Sequence, residues 1–236
     1  MIWLGIETAN APLSVAVVKD GKVVAEIIQN IKLTHSAGAM PAIENILENA
    51  GIKPNELDAI AVSEGPGSYT GVRIGVTLAK TLAWTLHKPL VGISSLKVLA
   101  ANATLYDGLI CPIFDARRDN VYTAVYKGAE LDVVVEDYHD HIDGLLNRLK
   151  AFESPILFIG ADVHAFWDKI IEVLGDYALR VPFSNELPRA SEVIRLASMK
   201  DLPSVEETHH FIPQYKRIAE AEANWLKEQK EKAHEQ

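Results

Sequence analysis

The residues best placed to do chemistry lie in one segment, Gly65-Pro66-Gly67-Ser68-Tyr69-Thr70-Gly71-Val72-Arg73-Ile74-Gly75, which holds four of the chain's 14 glycines. Glycine permits positive φ and lets another backbone or a ligand approach without a Cβ in the way. The segment follows the apolar run 57–62 and opens an apolar-rich stretch, so it reads as the junction of a buried strand with a helix. The first amides of a helix lack intrahelical partners and attract anions. Gly65, Gly67, Ser68, Thr70 and Gly71 are therefore candidate nucleotide-binding residues, with Ser68 or Thr70 as the helix cap. A tight turn that packs helix onto sheet accounts for the same residues. The segment is not a Walker A loop, which ends in Gly-Lys-Ser/Thr, and Thr70 replaces the third glycine of G-x-G-x-x-G.

Other polar groups offer weaker constellations. Glu7 in Glu7-Thr8-Ala9-Asn10 suits either a metal-site acid or a turn-capping carboxylate, and Asp115 with Arg117 and Arg118 suits either phosphate binding or a surface ion pair. His139, His141, His209 and His210 lie in polar stretches, and no H-E-x-x-H or H-x-x-x-H occurs, so no metal site is expected. No G-x-S-x-G surrounds any serine. The residues assemble no catalytic site.

These groups are carried by a regular alternation of elements. Residues 2–6, 13–18 and 22–28 read as strands, the last two joined by Asp20-Gly21. A helix is expected over 36–50, capped by Thr34 or Ser36 and stopped by Gly51, followed by a strand over 57–62 and a helix over 72–86. A strand over 90–93 and a helix from Ser94 or Ser95 to residue 103 complete the first block. The second block reads as strands over 109–114, 121–126 and 131–135, a helix over 139–149, a strand over 156–159 and a helix over 163–174. A loop over 182–188, a helix over 189–198 and a helical tail from Glu220 follow. Both blocks run β-β-β-α-β-α, a duplication of elements without repeated residues. The division predicted is a first, partner-binding lobe over 1–104 and a second over 105–236, whose C-terminal helix can pack back on the first.

Helix 36–50 carries one apolar face through Met40, Ile43, Ile46, Leu47 and Ala50. The next helix is apolar nearly all round: Val72, Val76, Ala79, Ala83 and Leu86 form one stripe, and Ile74, Leu78, Leu82 and Trp84 cover much of the rest. One side must meet the sheet and the other a second layer. The candidate interface is His35, Met40, Ile43 and Leu47 with Val72, Val76, Ala79 and Ala83, unless the C-terminal helix covers it.

Composition narrows the setting. Apolar residues make up 48% of 236 and charged residues 23%, an ordinary globular balance. A net charge of −9 repels a phosphate backbone, so RNA would have to be held mainly by something else. The single cysteine, Cys111, excludes an internal disulfide and fits a reducing cytosol. The opening residues carry no basic stretch and no run of about 18 apolar residues occurs, so a cytoplasmic chain with no membrane association is expected.

The glycine segment, followed by Ala79-Lys80-Thr81-Leu82-Ala83, resembles the signature of the TsaB (YeaZ) family. Supporting matches are Ile6-Glu7-Thr8 with Ser14-Val15-Ala16-Val17, His35-Ser36 with Pro41-Ala42-Ile43, and Val91-Gly92-Ile93-Ser94-Ser95-Leu96. Asp115-Ala116-Arg117-Arg118 with Val121-Tyr122, and Pro213-Gln214-Tyr215-Lys216-Arg217, add to these. The resemblance spans about residues 2 to 220. It implies an α/β, two-lobed actin/sugar-kinase (ASKHA) ATPase-like fold, each lobe a mixed sheet with helices. It also implies a non-catalytic scaffold or activator of a TsaD-like catalytic subunit and a TsaE-like ATPase, which together make threonylcarbamoyladenosine in tRNAs reading codons that begin with A. The implied partners extend to a homodimer in isolation and to tRNA only through the complex. No cofactor is expected to bind tightly, with ATP or ADP confined to the assembled complex. TsaD holds its metal with an H-x-x-x-H motif, and the matching place here is Ser94-Ser95-Leu96-Lys97-Val98-Leu99, without histidine. The chain departs from the family pattern at Glu7-Thr8-Ala9, where Asp-Thr-Ser is usual, and at Ala39, where leucine is common. The alternative is an active ATP-dependent phosphotransferase of the same superfamily, which needs a metal-coordinating acid and a base that the residues do not clearly supply. A peptidase has no supporting motif.

Overall fold

The structure, a computed structural model, describes residues 1–31 and 34–216. Strands β1 (Ile2–Glu7), β2 (Leu13–Lys19), β3 (Lys22–Gln29), β4 (Ala59–Gly65) and β5 (Leu90–Ser94) form one sheet in the order β3-β2-β1-β4-β5. Strands β6 (Leu109–Asp115), β7 (Asn120–Lys127), β8 (Asp132–His141), β9 (Ile156–Ile159) and β10 (Ala178–Arg180) form a second, ordered β10-β9-β6-β7-β8. In each, an antiparallel meander is continued by two parallel strands. The second sheet repeats the first strand for strand, β6 answering to β1 and β10 to β5. Two mixed sheets with their helices make the two-lobed ASKHA architecture.

Among the described residues, six α-helices surround these sheets. Helices α1 (His35–Ala50) and α2 (Tyr69–Leu86) cover the outer face of the first sheet, and α4 (Ile142–Lys150) and α5 (Val163–Leu174) that of the second. Helices α3 (Ser95–Ala100) and α6 (Ala190–Ala197) lie between the sheets in exchanged positions. α3, from the first half of the chain, packs on β6 and β7, while α6, from the second half, packs on β1, β2 and β4. Strand alternation sorts the first lobe's apolar residues. Leu4 and Ile6 of β1 face α1 and α2, while Trp3 faces the central layer with Leu96, Leu99, Val193 and Ile194.

Several expected boundaries move. The strand expected over 57–62 is β4, shifted to end at Gly65, and α2 begins at Tyr69 rather than residue 72. The helix expected from His139 begins at Ile142, because β8 stays paired to β7 as far as Asn120 opposite His141. Continued pairing satisfies the backbone of residues 139–141, so the helix starts only where the ladder ends. α3 stops at Ala100 and a 3-10 turn carries the chain to Ala103. β10 is three residues long, too short to show alternation, and the sequence reading missed it. α1 ends at Gly51, whose φ of 64° is the left-handed cap that glycine supplies.

All strands of the first sheet precede residue 104 and all strands of the second follow residue 105. Residues 190–216 nevertheless return to the first lobe. After α6, a 3-10 turn (Val205–His210) and the segment 211–216 run over α2, held by Lys80 Nζ donating to the carbonyls of His209 (2.8 Å) and Phe211 (3.0 Å). The Gln214 amide donates to the Glu64 carbonyl at 2.7 Å. The helix expected from Glu220 lies outside the described residues. Because the central layer is shared, truncating Ile194, which is 1% exposed, to alanine will lower stability by about 2–5 kcal/mol. Urea unfolding followed by fluorescence and far-UV circular dichroism will show one coincident transition for both lobes.

Candidate functional site

The turn 7–10 at the end of β1 is inserted against the first turn of α2. Ser68 caps that helix, its Oγ accepting the Gly71 amide at 3.3 Å, while its own amide donates to the Ala9 carbonyl at 2.7 Å. A Cβ on Gly67 would lie 2.2 Å from the Ala9 carbonyl oxygen, and one on Gly71 would lie 2.2 Å from that of Thr8. Gly75 makes room for the Thr8 hydroxyl, which donates to the Gly71 carbonyl at 2.8 Å. Gly65, at φ 110°, meets the carbonyl of Gln214 from the C-terminal segment. Among the five nucleotide-binding candidates, the three glycines thus receive other backbone and Ser68 caps the helix. Thr70 stands exposed on the first turn. These contacts make the junction a packing joint for the turn 7–10 and for the C-terminal segment.

Glu7 is fully buried. Its carboxyl accepts the Ser63 hydroxyl from β4 and the Ala9 amide at 2.6 Å. Burial disfavours the charged form and pushes its pKa up to about 7, the two hydrogen bonds only partly opposing that rise. The carboxyl is a turn-capping group walled off from solvent.

The turn after β6 is the counterpart of this turn in the second sheet. Arg117, Arg118 and Asp119 all take positive φ (69°, 55° and 58°), a conformation that non-glycine residues rarely sustain in succession. Asn120 Nδ2 secures it by donating to the carbonyls of Arg117 (3.0 Å) and Arg118 (2.9 Å). Arg117 pairs with Asp115 at 3.3 Å, so the expected ion pair is present. The two turns meet through Asp162, whose Oδ2 accepts both Asn10 Nδ2 and the Asp115 amide at 2.9 Å.

The helix pair corrects the expected exposed stripe. Ile43, Leu47, Val72, Val76, Ala79 and Ala83 are all buried in the first lobe's own core. Gly71, Gly75, Ala79 and Ala83 recur every four residues, and this small-residue side lets α2 lie close to the sheet. That spacing was readable and would have oriented the helix. The larger Ile74, Leu78 and Leu82 lie on the adjoining flank of α2, partly buried, with Leu78 and Leu82 packed against the first lobe's core. With Met40, 37% exposed, Ile74 and Leu78 line a groove of about 390 Å³ between α1 and α2. A second hollow of about 500 Å³ continues past Met40 to Leu82, Leu86 and Pro54, with Glu44, Glu48 and Lys53 at its lining. His35 lines the α1–α2 groove and is also bonded within the chain, its Nε2 donating to the Asn10 carbonyl at 2.8 Å. Trp84 stacks on His209 at 3.9 Å, and Tyr69 on Tyr215 at 5.3 Å.

The remaining candidates have structural partners. Ser94 caps α3 and donates to Asp137 at 2.5 Å, a carboxylate that also accepts the Tyr126 hydroxyl at 2.6 Å. His141 caps α4, and His139 lies on β8 with its ring 5.3 Å from that of Tyr122. Among the described residues no three His, Cys, Asp or Glu side chains gather as a metal site. No helix of the described residues is long and apolar enough to cross a membrane.

The paired sheets and interposed helices define an actin/sugar-kinase-like fold whose turn after β1 is packed against α2. The activator of the 2-hydroxyisocaproyl-CoA dehydratase from Clostridium difficile, solved with bound ADPNP, shares this fold: TM-score 0.52, 8% identity, 89% of this chain and 96% of that one. A solved Pseudomonas aeruginosa protein, described as uncharacterized with similarity to peptidase YEAZ, superposes with a TM-score of 0.77 at 24% identity over 92% of this chain and 99% of that one. A family model described as TsaD, tRNA N6-adenosine threonylcarbamoyltransferase, matches residues 22–225. The TsaB of Bacillus subtilis is 44% identical over 232 residues, covering 98% of this chain and all of that one. The chain belongs to the TsaB family of tRNA threonylcarbamoyladenosine biosynthesis proteins.

Two outcomes follow from this geometry. Gly67→Ala and Gly71→Ala will each force the turn out of its seat, lowering the melting temperature by several degrees in differential scanning calorimetry. Glu7 binds its proton more tightly folded than unfolded, so its contribution to stability falls as pH rises from about 4.5 to about 7 and is level beyond. Glu7→Gln will abolish that decline and exceed the parent in stability at pH 8 by on the order of 3 kcal/mol, read from urea midpoints.

Proposed function

We propose that the chain is a non-catalytic scaffold and activator in the making of tRNA threonylcarbamoyladenosine, seated on a TsaD-like catalytic subunit and working with a TsaE-like ATPase. The observation that carries this reading is the contrast on α2: its first turn packs against the chain's own turn 7–10, while Ile74, Leu78 and Leu82 on its flank toward α1 stay partly open. Packing of the Ala9 and Thr8 carbonyls against Gly67 and Gly71 supports a joint over a phosphate cradle in this reading. Glu7, sealed against Ser63, has no path to a solvent-borne metal.

An apolar groove flanked by charged residues is the usual shape of a protein-binding surface. Met40, Ile74, Leu78 and Leu82 are the docking residues in this reading, and the same face joins two copies when the catalytic subunit is absent. The acidic chain meets tRNA only through the complex, and any ATP or ADP contact arises there. The setting is the cytoplasm, where the modification machinery works.

Leu78→Glu and Leu82→Glu will leave the melting temperature within a few degrees of the parent. Each will weaken association with the TsaD-like subunit about 100-fold or more in calorimetric titration, close to 3 kcal/mol. Reconstituted modification with the TsaD-like and TsaE-like proteins will fall in step. Undiminished affinity in both variants would sink the docking assignment, and tight magnesium–ATP binding by the isolated chain would restore the phosphotransferase reading. Val76→Glu and Ala79→Glu, by contrast, will unfold the first lobe, because they place a charge in its core.

A further inference from the structure

Hydrogen bonds run in series from the helix pair into the second lobe. His35, the first residue of α1, donates from Nε2 to the Asn10 carbonyl at 2.8 Å. The side chain of Asn10 donates to Asp162 Oδ2 at 2.9 Å, and the same oxygen accepts the Asp115 amide at 2.9 Å. Asp115 Oδ1 in turn accepts the Arg117 amide at 2.7 Å, at the entrance to the left-handed residues 117–119. The links through Asp162 and Asp115 have a carboxylate as acceptor, which makes them stronger than neutral bonds.

Asn10 is the joint of this series. Its backbone serves α1 and its side chain serves the second lobe. The preceding residues are held to α2, Ala9 by the Ser68 amide and Thr8 by Gly71. A shift of the α1 amino terminus must therefore either break the His35 bond or carry Asn10 with it, and with Asn10 the carboxylate of Asp162. Asp162 immediately precedes α5, so the displacement reaches both the turn after β6 and a helix of the outer layer.

We propose that His35, Asn10 and Asp162 form a positioning relay that couples the amino terminus of α1 to the turn 115–120 of the second lobe. A partner seated on the open face of α1 and α2 then changes the second lobe without touching it. Only that trigger rests on the docking reading above; the relay is a property of the free chain.

Hydrogen exchange followed by mass spectrometry on the full chain tests it. His35→Ala will speed exchange in peptides covering 110–122 about tenfold, and Asp162→Ala will do the same in peptides covering 34–40. His35→Gln, which keeps an N–H donor at that reach, will return 110–122 close to the parent rate. Acceleration confined to each substituted residue's own neighbourhood overturns the relay. Should either alanine variant loosen the whole fold, a double-mutant cycle of His35→Ala with Asp162→Ala in urea decides. A shortfall from additivity supports the relay and strict additivity overturns it. Titration with the TsaD-like subunit is a separate arm, because lost docking with long-range exchange effects intact sinks only the docking reading.

Discussion

The structure depends on the backbone of Thr8 and Ala9 entering the first turn of α2. Two carbonyl oxygens lie where the Cβ atoms of residues 67 and 71 would otherwise be, and only glycine leaves that volume free. Once the turn is seated, the Ser68 amide and the Thr8 hydroxyl find partners within the chain. The same insertion seals Glu7 from water and leaves it holding a proton near neutral pH. The strand-to-helix junction is thereby the joint on which the turn after β1 is packed.

α2 shows how one helix serves two environments. Its side of Gly71, Gly75, Ala79 and Ala83 can approach the sheet closely, because little side chain stands between backbones. Beside that stripe, Ile74, Leu78 and Leu82 occupy the flank toward α1, which covers them only in part. The C-terminal segment covers a further strip, through Lys80, Trp84 and Tyr69. What remains open is a limited apolar face, and its limits come from the chain's own return.

The two sheets repeat one another while their residues do not. Each must match different neighbours: the first receives α6 and the C-terminal segment, the second receives α3. Exchange of these helices makes the layer between the sheets common property. Trp3 of β1 and Phe114 of β6 sit in the same cluster with Leu99 and Ile194. The lobes are thus joined by a core and, at the cleft, by Asp162 bridging Asn10 to Asp115. Separation of the lobes would expose apolar surface and strip the Asp162 carboxylate of its Asn10 donor.

Most of the element order was legible in the sequence, because alternation in strands such as β2 and the three- and four-residue spacing in α1 are local consequences of burial. The glycine segment announced a strand-to-helix junction, and the resemblance it carried led to the right family and fold. Local pattern failed where pairing at a distance decided the outcome: β8 runs on through His141 because Asn120 lies opposite, and β10 exists because β9 lies beside it. It failed again on α2, since a helix apolar all round does not say which side meets the sheet, although the four-residue spacing of small residues held the answer. Asn10 and Asp162 lie 152 residues apart in the chain, and nothing local foretold that they would join or that Glu7 would be entombed. The sequence by itself determined that Gly65, Gly67 and Gly71 must admit something without a Cβ in the way. Only the tertiary structure decided that the guests are the backbones of Gln214, Ala9 and Thr8, because close approach is a local permission and its occupant is chosen by how the rest of the chain packs.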